Sequence, residues 1–334
     1  MKPAIIFPLL LIFLALAAVA NILFGAVDIP IADIFGAISG QREESIVNYI
    51  IIQNRLPQMV TAMLAGGSLA VSGLMLQTAF RNPLAGPSIL GISSGASLGV
   101  ALIMLMFGGV ISLGGSSISG NIAVIIGALA GSILVTAILT AISLTVRNSL
   151  MLLIVGIMVG YLTSSIVTLL SSISTARSLQ GYVMWGMGSF SDVALSQLPL
   201  FTLLNVVGIL YSLTLAKPLN ILLLGDNYAH NLGIQVSKVK TRLLVATGFL
   251  TAIVTAYCGP VAFIGLAMPH IARLLTRSDN HWILMPASML CGAIVALCCN
   301  VASVAFTSSV IPLNALTPIV GVPVILYVIL FRNK

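Results

Sequence analysis

Charge is what this sequence has least of. Only 14 basic and 7 acidic residues occur among 334, or 6% of the chain, against roughly 25% in an average soluble protein. A solvated surface cannot be assembled from so few. With 59% apolar residues and a mean hydropathy of +1.17, the chain has more apolar surface than one core can bury, so most of it faces lipid or other membrane helices. It reads as an all-α, polytopic membrane protein. No soluble basic domain exists to carry the net charge of +7, so that excess excludes a nucleic-acid partner and marks cytoplasmic loops instead. The four cysteines, Cys258, Cys291, Cys298 and Cys299, lie in apolar stretches without metal-ligand spacing and read as small packing residues.

Also absent are a catalytic carboxylate pair, a metal cluster and a nucleotide loop. None of the five lysines completes Gly-x-x-x-x-Gly-Lys-Ser/Thr, so ATP hydrolysis by that route is not expected of this chain. All seven acids fall in expected loops or at their edges. Proton- and sodium-driven carriers usually keep ionisable groups within the membrane, which weakens a gradient-driven secondary transporter as the alternative.

Because charges are rare, their gaps locate the spans. The charge-free intervals are 3–27, 56–80, 82–146, 148–176, 193–216, 243–272 and 280–331; with about 20 residues per crossing they hold nine or ten spans. The uncertain interval, 243–272, contains Gly259-Pro260, which breaks a helix. With Lys2 inside, ten spans place 11 basic residues inside and 3 outside, whereas nine give 7 and 7. The positive-inside bias therefore selects about ten spans with both termini cytoplasmic. Asp28, Asp33, Glu43, Glu44 and Asp192 then fall outside, and Arg55 at the outer face. Residues 3–27 are too long for a secretory signal core and read as an uncleaved first span.

Gly91-Ile92-Ser93-Ser94-Gly95 fits Gly-x-Ser-x-Gly, and His270 is taken as the only histidine near a span. An intramembrane serine protease would need such a pair. The plainer reading is a small-residue surface for close helix packing. The stretch 217–242 mixes charges with Leu224-Gly225 and Leu232-Gly233, which predicts a short helix pair along the cytoplasmic face with Gly225 and Gly233 as turns. Residues alone leave open whether it docks a partner or merely connects two spans. Gly86-Pro87-Ser88-Ile89-Leu90-Gly91-Ile92 is echoed by Gly259-Pro260-Val261-Ala262-Phe263-Ile264-Gly265-Leu266, on opposite sides, as an inverted repeat would give. Tyr182, Met184, Trp185 and Met187 read equally as an outer gate or as an interfacial anchor.

Several of these segments, in order from about residue 50 to the C-terminus, resemble the FecCD-type permeases, membrane subunits of ABC importers for iron-siderophores, haem and cobalamin. The specific ones are Arg81-Asn82-Pro83-Leu84-Ala85-Gly86-Pro87 and Gly265-Leu266-Ala267-Met268-Pro269-His270-Ile271-Ala272-Arg273. Arg55-Leu56-Pro57, Trp185 to Ser189 and Gly259-Pro260 accompany them. The resemblance implies a single permease domain over 1–334 in the bacterial cytoplasmic (inner) membrane, binding no cofactor or metal and having no catalytic residue. ATP and Mg would sit in two copies of a separate ABC ATPase. A second copy of the permease, as a homodimer, and an extracytoplasmic substrate-binding protein would complete the importer.

Within it, 217–242 would be the coupling loop, with Leu224, Gly225, Asp226, Ala229, Leu232 and Gly233 engaging the ATPase, and Arg55 would dock the binding protein. Two departures touch that docking. Gln58 stands where a second basic residue is frequent, and Val310-Ile311-Pro312 with Asn314 replaces the usual acidic outer motif, while Gly321 and Pro323 match. His270, common to members with different substrates, reads as a structural hydrogen bond near the cytoplasmic surface rather than a haem or metal ligand.

Overall fold

The computed structural model describes residues 3–25, 27, 29–30, 32–34, 46–113, 116–145, 149–305 and 311–331. Lys2, Asp28, Arg42, Glu43, Glu44, Arg147, Arg332 and Lys334, which enter the sidedness argument, lie outside these residues, as does Val310. The chain runs from α1 (Pro3–Leu23) to α2 (Ile46–Ile50), which continues through a π turn (Ile51–Arg55) into α3 (Leu56–Phe80). There follow α4 (Ile92–Ala101) with its π turn (Leu102–Met106), β1 (Val110–Leu113), β2 (Ser116–Ser119), α5 (Asn121–Thr145), α6 (Ser149–Ile173) and α7 (Ala176–Gly186). Next come α8 (Leu198–Thr214), α9 (Ala216–Leu222), α10 (Asp226–Asn231), α11 (Val236–Cys258), α12 (Ile264–Thr276), α13 (His281–Ala305) and α14 (Leu313–Phe331).

The charge-free intervals fall on helices, but the helices are unequal. Among the described residues six are long and apolar enough to cross a membrane, or seven if α8 and α9, bent by 47°, form one crossing. The apolar helices at Ile92–Met106 and Leu313–Val328 are shorter, as is α12 with 13 residues. One departure from an all-helical chain is the hairpin β1–β2, in which Val110 pairs with Ser119. It forms where Gly108 and Gly109, at φ 62° and 84°, end the preceding helix.

Burial sets the order of the helices. Seventy-eight per cent of the spanning window is buried for α2–α3 and for α11, against 17% for α1 and for α6. The central helix, α3, packs on α13, α11, α12 and α8. It does so through missing side chains: a Cβ added at Gly66 would overlap the carbonyl of Gly292, and one at Gly73 would overlap the carbonyl of Gly265. Lipid offers no hydrophobic drive between helices, so close backbone approach supplies the packing energy. The Gly-x-Ser-x-Gly stretch works the same way, since a Cβ at Gly95 would meet the carbonyl of Gly131 in α5. The cysteines sit in α11 and α13, with Cys258, Cys291 and Cys299 buried and Cys298 exposed.

The break after α11 is built rather than loose. Gly259 takes φ 72° and ψ 178° against the Trp185 carbonyl, and Phe263 takes a left-handed φ of 64° to start α12. Ser189 N–H donates to the Cys258 carbonyl at 2.9 Å, and Ile264 N–H to Ala262 at 2.8 Å. Non-helical backbone at membrane depth persists only where protein satisfies it. Introducing a side chain at the central contact is expected to overpack it: Gly66→Val and Gly292→Val should each cost about 1–3 kcal/mol, read as a lower thermal unfolding midpoint in detergent, while Gly181→Val, at an open position, should leave it unchanged.

Candidate functional site

The stretch 217–242 folds as the expected helix pair, α9 and α10, joined by Gly225 at φ 116° and closed by Gly233 at φ 81°. Leu224, Tyr228 and Leu232 are 61%, 66% and 59% exposed. The chain leaves all three uncovered, Leu224 in the turn before Gly225 and Tyr228 and Leu232 one helical turn apart on α10 and its C-cap. Ala229 is fully buried beneath them and seats the pair rather than facing outward. Tyr228 was missed in the sequence, although its place midway between the two leucines could have found it.

Asp226 accepts from Arg81 Nη2 at 3.0 Å and from Lys240 Nζ at 2.7 Å, joining α10 to the end of α3 and the start of α11. The Arg81 and Asp226 side chains are 49% and 40% exposed, so that bridge contributes only about 0–1 kcal/mol, while Lys240 is more covered at 17%. A drier linkage lies above them. The His281 ring Nε2 is 2.8 Å from Thr78 Oγ1, and its Nδ1 is 2.8 Å from Asn220 Oδ1. His281 is the first residue of α13 and 1% exposed. This corrects the expectation that His270 alone lies near a span; the polar run from Arg277 to Asn280 hid the helix start.

The two family motifs come together beside this linkage. Arg81 closes α3 at φ 47°, and Asn82 Oδ1 accepts from Leu84 N–H at 2.9 Å to turn the chain. The His270 ring, 1% exposed, lies 2.8 Å from the Pro83 carbonyl. Gln77 donates to the Leu266 carbonyl at 2.9 Å and accepts from Arg273 Nη1 at 2.7 Å. Pro87 packs on Gly265, and Leu266 on Gly86; Pro269 is buried inside α12. Gly259 and Pro260 do not join this cluster, but meet Trp185 and Gly188. The echoed segments thus touch at Gly265–Leu266 and part at Gly259–Pro260.

At the opposite end, Arg55 departs from its expected role as an exposed docking side chain. It is 4% exposed, and its guanidinium donates to the carbonyls of Ile22, Leu23 and Val27 at 2.6, 2.9 and 2.5 Å. These are acceptors left open where α1 ends, and a planar fork suits several of them. Gln58 is likewise committed, donating to Ser191 Oγ at 2.6 Å and Asn300 Oδ1 at 3.1 Å. Met104, Met184, Trp185, Met187, Ser189 and Asp192 line a pocket of about 510 Å³. Tyr182 stands 6.2 Å from Trp185, ring to ring. Burial raises the Asp192 carboxyl above its usual range. Among the described residues no three His, Cys, Asp or Glu are grouped as a metal site.

Residues 10–331 match the FecCD transport family. A hemin transport system permease protein of Yersinia pestis is 33% identical over 338 residues, covering all of this chain and 97% of that one. A vitamin B12 import system permease protein of Salmonella arizonae is 35% identical over 279 residues, 83% of this chain and 82% of that one. A solved structure of a metal-chelate type ABC transporter in an inward-facing conformation is similar over 100% of both chains, with a TM-score of 0.84 and 29% identity.

Arg55→Ala is expected to destabilise the protein by on the order of 3 kcal/mol, since charge-assisted bonds in a dry site are removed together. Arg55→Lys should recover only part, because one ammonium cannot span three carbonyls. Thermal unfolding of the purified chain checks both; an unchanged midpoint in Arg55→Ala would return the residue to a docking role.

Proposed function

The chain belongs to the FecCD transport family, and on that premise we propose how it works as the membrane-spanning permease subunit of an ATP-driven importer. It lies in the bacterial inner membrane and crosses it ten times, the short helices α4, α12 and α14 counting as crossings within the protein's own packing. Both termini are cytoplasmic, and the two halves are related as inverted repeats. It binds no nucleotide: two copies of an ABC ATPase hold ATP and Mg, a second identical permease completes the pathway, and an extracytoplasmic binding protein delivers the substrate. That substrate is a bulky chelate of the iron-siderophore, haem or cobalamin type. The relatives named for hemin and vitamin B12 support this class.

The observation that carries the mechanism is the exposure of Leu224, Tyr228 and Leu232. In the coupling loop 217–242 they fit a cleft of the ATPase. Closure of the ATPase pushes the pair, Gly225 and Gly233 set its angle, and Asp226 guides it against Arg81 and Lys240. At the outer end, the pocket bounded by Met104, Met184, Met187 and Trp185 offers soft, apolar contacts to a bulky ligand without holding it tightly. With Arg55 engaged by the chain's own carbonyls, docking of the binding protein draws on other outer-face groups.

The test is purification of the tagged chain from its native membrane in mild detergent. A P-loop ATPase is expected near stoichiometry, and Leu224→Asp with Leu232→Asp should reduce its recovery at least ten-fold while leaving the thermal midpoint of the permease in place. A complex without any ATPase would move a gradient-driven transporter to first place.

A further inference from the structure

The linkage through His281 has a defined direction. Asn280 Oδ1 accepts from the Trp282 backbone N–H at 3.0 Å, so the group Asn220 turns toward it at 2.9 Å is its NH₂. The other Asn220 atom is therefore its oxygen, which also accepts from the His281 backbone N–H at 2.8 Å. It follows that His281 Nδ1 carries a proton, and that in the neutral ring Nε2 accepts from the Thr78 hydroxyl. Two backbone N–H groups thus fix Asn280, Asn220 and His281, and the single Thr78 hydroxyl proton goes to Nε2 at 2.8 Å in preference to the Leu74 carbonyl at 3.1 Å. Thr78 is 4% and His281 1% exposed.

The mechanical setting gives this chain a task. Helix α9 follows α8 across a bend of 47°, and a seven-residue helix on such a bend can swing when its far end is pushed. Asn220 lies on α9, His281 opens α13 and Thr78 ends α3. The Arg81–Asp226 bridge is half-open to water and holds α10, with Arg81 also 3.4 Å from the Leu222 carbonyl of α9, whereas the Thr78–His281 contact is buried and reaches α9 through the half-buried Asn220.

We propose that the Asn220–His281–Thr78 chain is the joint that makes α9 move as one body with α3 and α13, with His281 as its positioning residue. This rests on the importer reading. A push on the helix pair then reaches the central helix instead of being absorbed at the α8–α9 bend, and the exposed Arg81–Asp226 bridge is secondary to it.

Hydrogen–deuterium exchange on the full complex in nanodiscs, with and without ATP and vanadate, tests the joint. Thr78→Val keeps the side-chain volume and removes the hydroxyl; Thr78→Ser keeps the hydroxyl and removes the methyl. Exchange in residues 216–222 is expected to rise at least ten-fold in Thr78→Val and in His281→Phe, and to stay near wild type in Thr78→Ser. The vanadate-dependent change should reach residues 76–80 in wild type and Thr78→Ser, and stop at α9–α10 in Thr78→Val. Equal exchange in Thr78→Val and wild type, or equal loss in Val and Ser, overturns the joint. If the importer reading itself fails, no ATPase copurifies and ATP changes nothing in any variant, while the contrast between Val and Ser at position 78 remains readable on the permease alone.

Discussion

The structure hangs on the places where α3 touches its neighbours backbone to backbone. At Gly66 and Gly292, and again at Gly73 and Gly265, no side chain separates the helices. In lipid this closeness is what holds them, because burying Leu against Leu gains little over leaving it in acyl chains. The contact at Gly73 also determines where α12 must begin. Its first turn has to lie against the middle of α3, so the backbone before it is not helical, and Ser189 N–H and Ile264 N–H satisfy the Cys258 and Ala262 carbonyls around the break.

That geometry explains why the polar groups gather at one end. Gln77, Thr78 and Arg81 are the last residues of α3 that point toward α12, α13 and α10 respectively, and each makes a different kind of bond there. Arg273 and Gln77 tie the half-length helix α12 to α3, and the His270 ring meets the Pro83 carbonyl. The family motifs around Arg81 and His270 are therefore two sides of one contact. The helix pair α9–α10 hangs from the same end, so what moves it bears on the central helix.

Much of this was legible in the sequence because unpaired charge in hydrocarbon is expensive. The gaps between charges located the spans, and the basic start of α11 at Val236 and the break at Gly259 followed from them. Leu-Gly repeats marked the helix pair. Depth was not legible: nothing in the order of residues says that α12 starts against the middle of α3, since that depends on a glycine 192 positions earlier (265 − 73). Arg55 was expected at the docking surface on family resemblance alone, and its burial was not legible because its carbonyl acceptors carry no side-chain signature. His281 was hidden by the polar run before it, which reads as loop right up to the residue that opens the helix.

Asn21 gives the first helix an awkward history during synthesis. Its side chain donates to the carbonyl of Leu297 at 3.1 Å and accepts from Asn300 at 2.7 Å, partners that leave the ribosome 276 and 279 residues later. At about 5–20 residues per second this is on the order of tens of seconds. For that interval the Asn21 amide has only the Ala17 carbonyl of its own helix, at 2.8 Å, to donate to, and its oxygen gains the Asn300 partner only when α13 arrives. The N-terminal helix is thus fastened in two stages, its end by Arg55 soon after it emerges and its Asn21 side chain only when the C-terminal third is inserted.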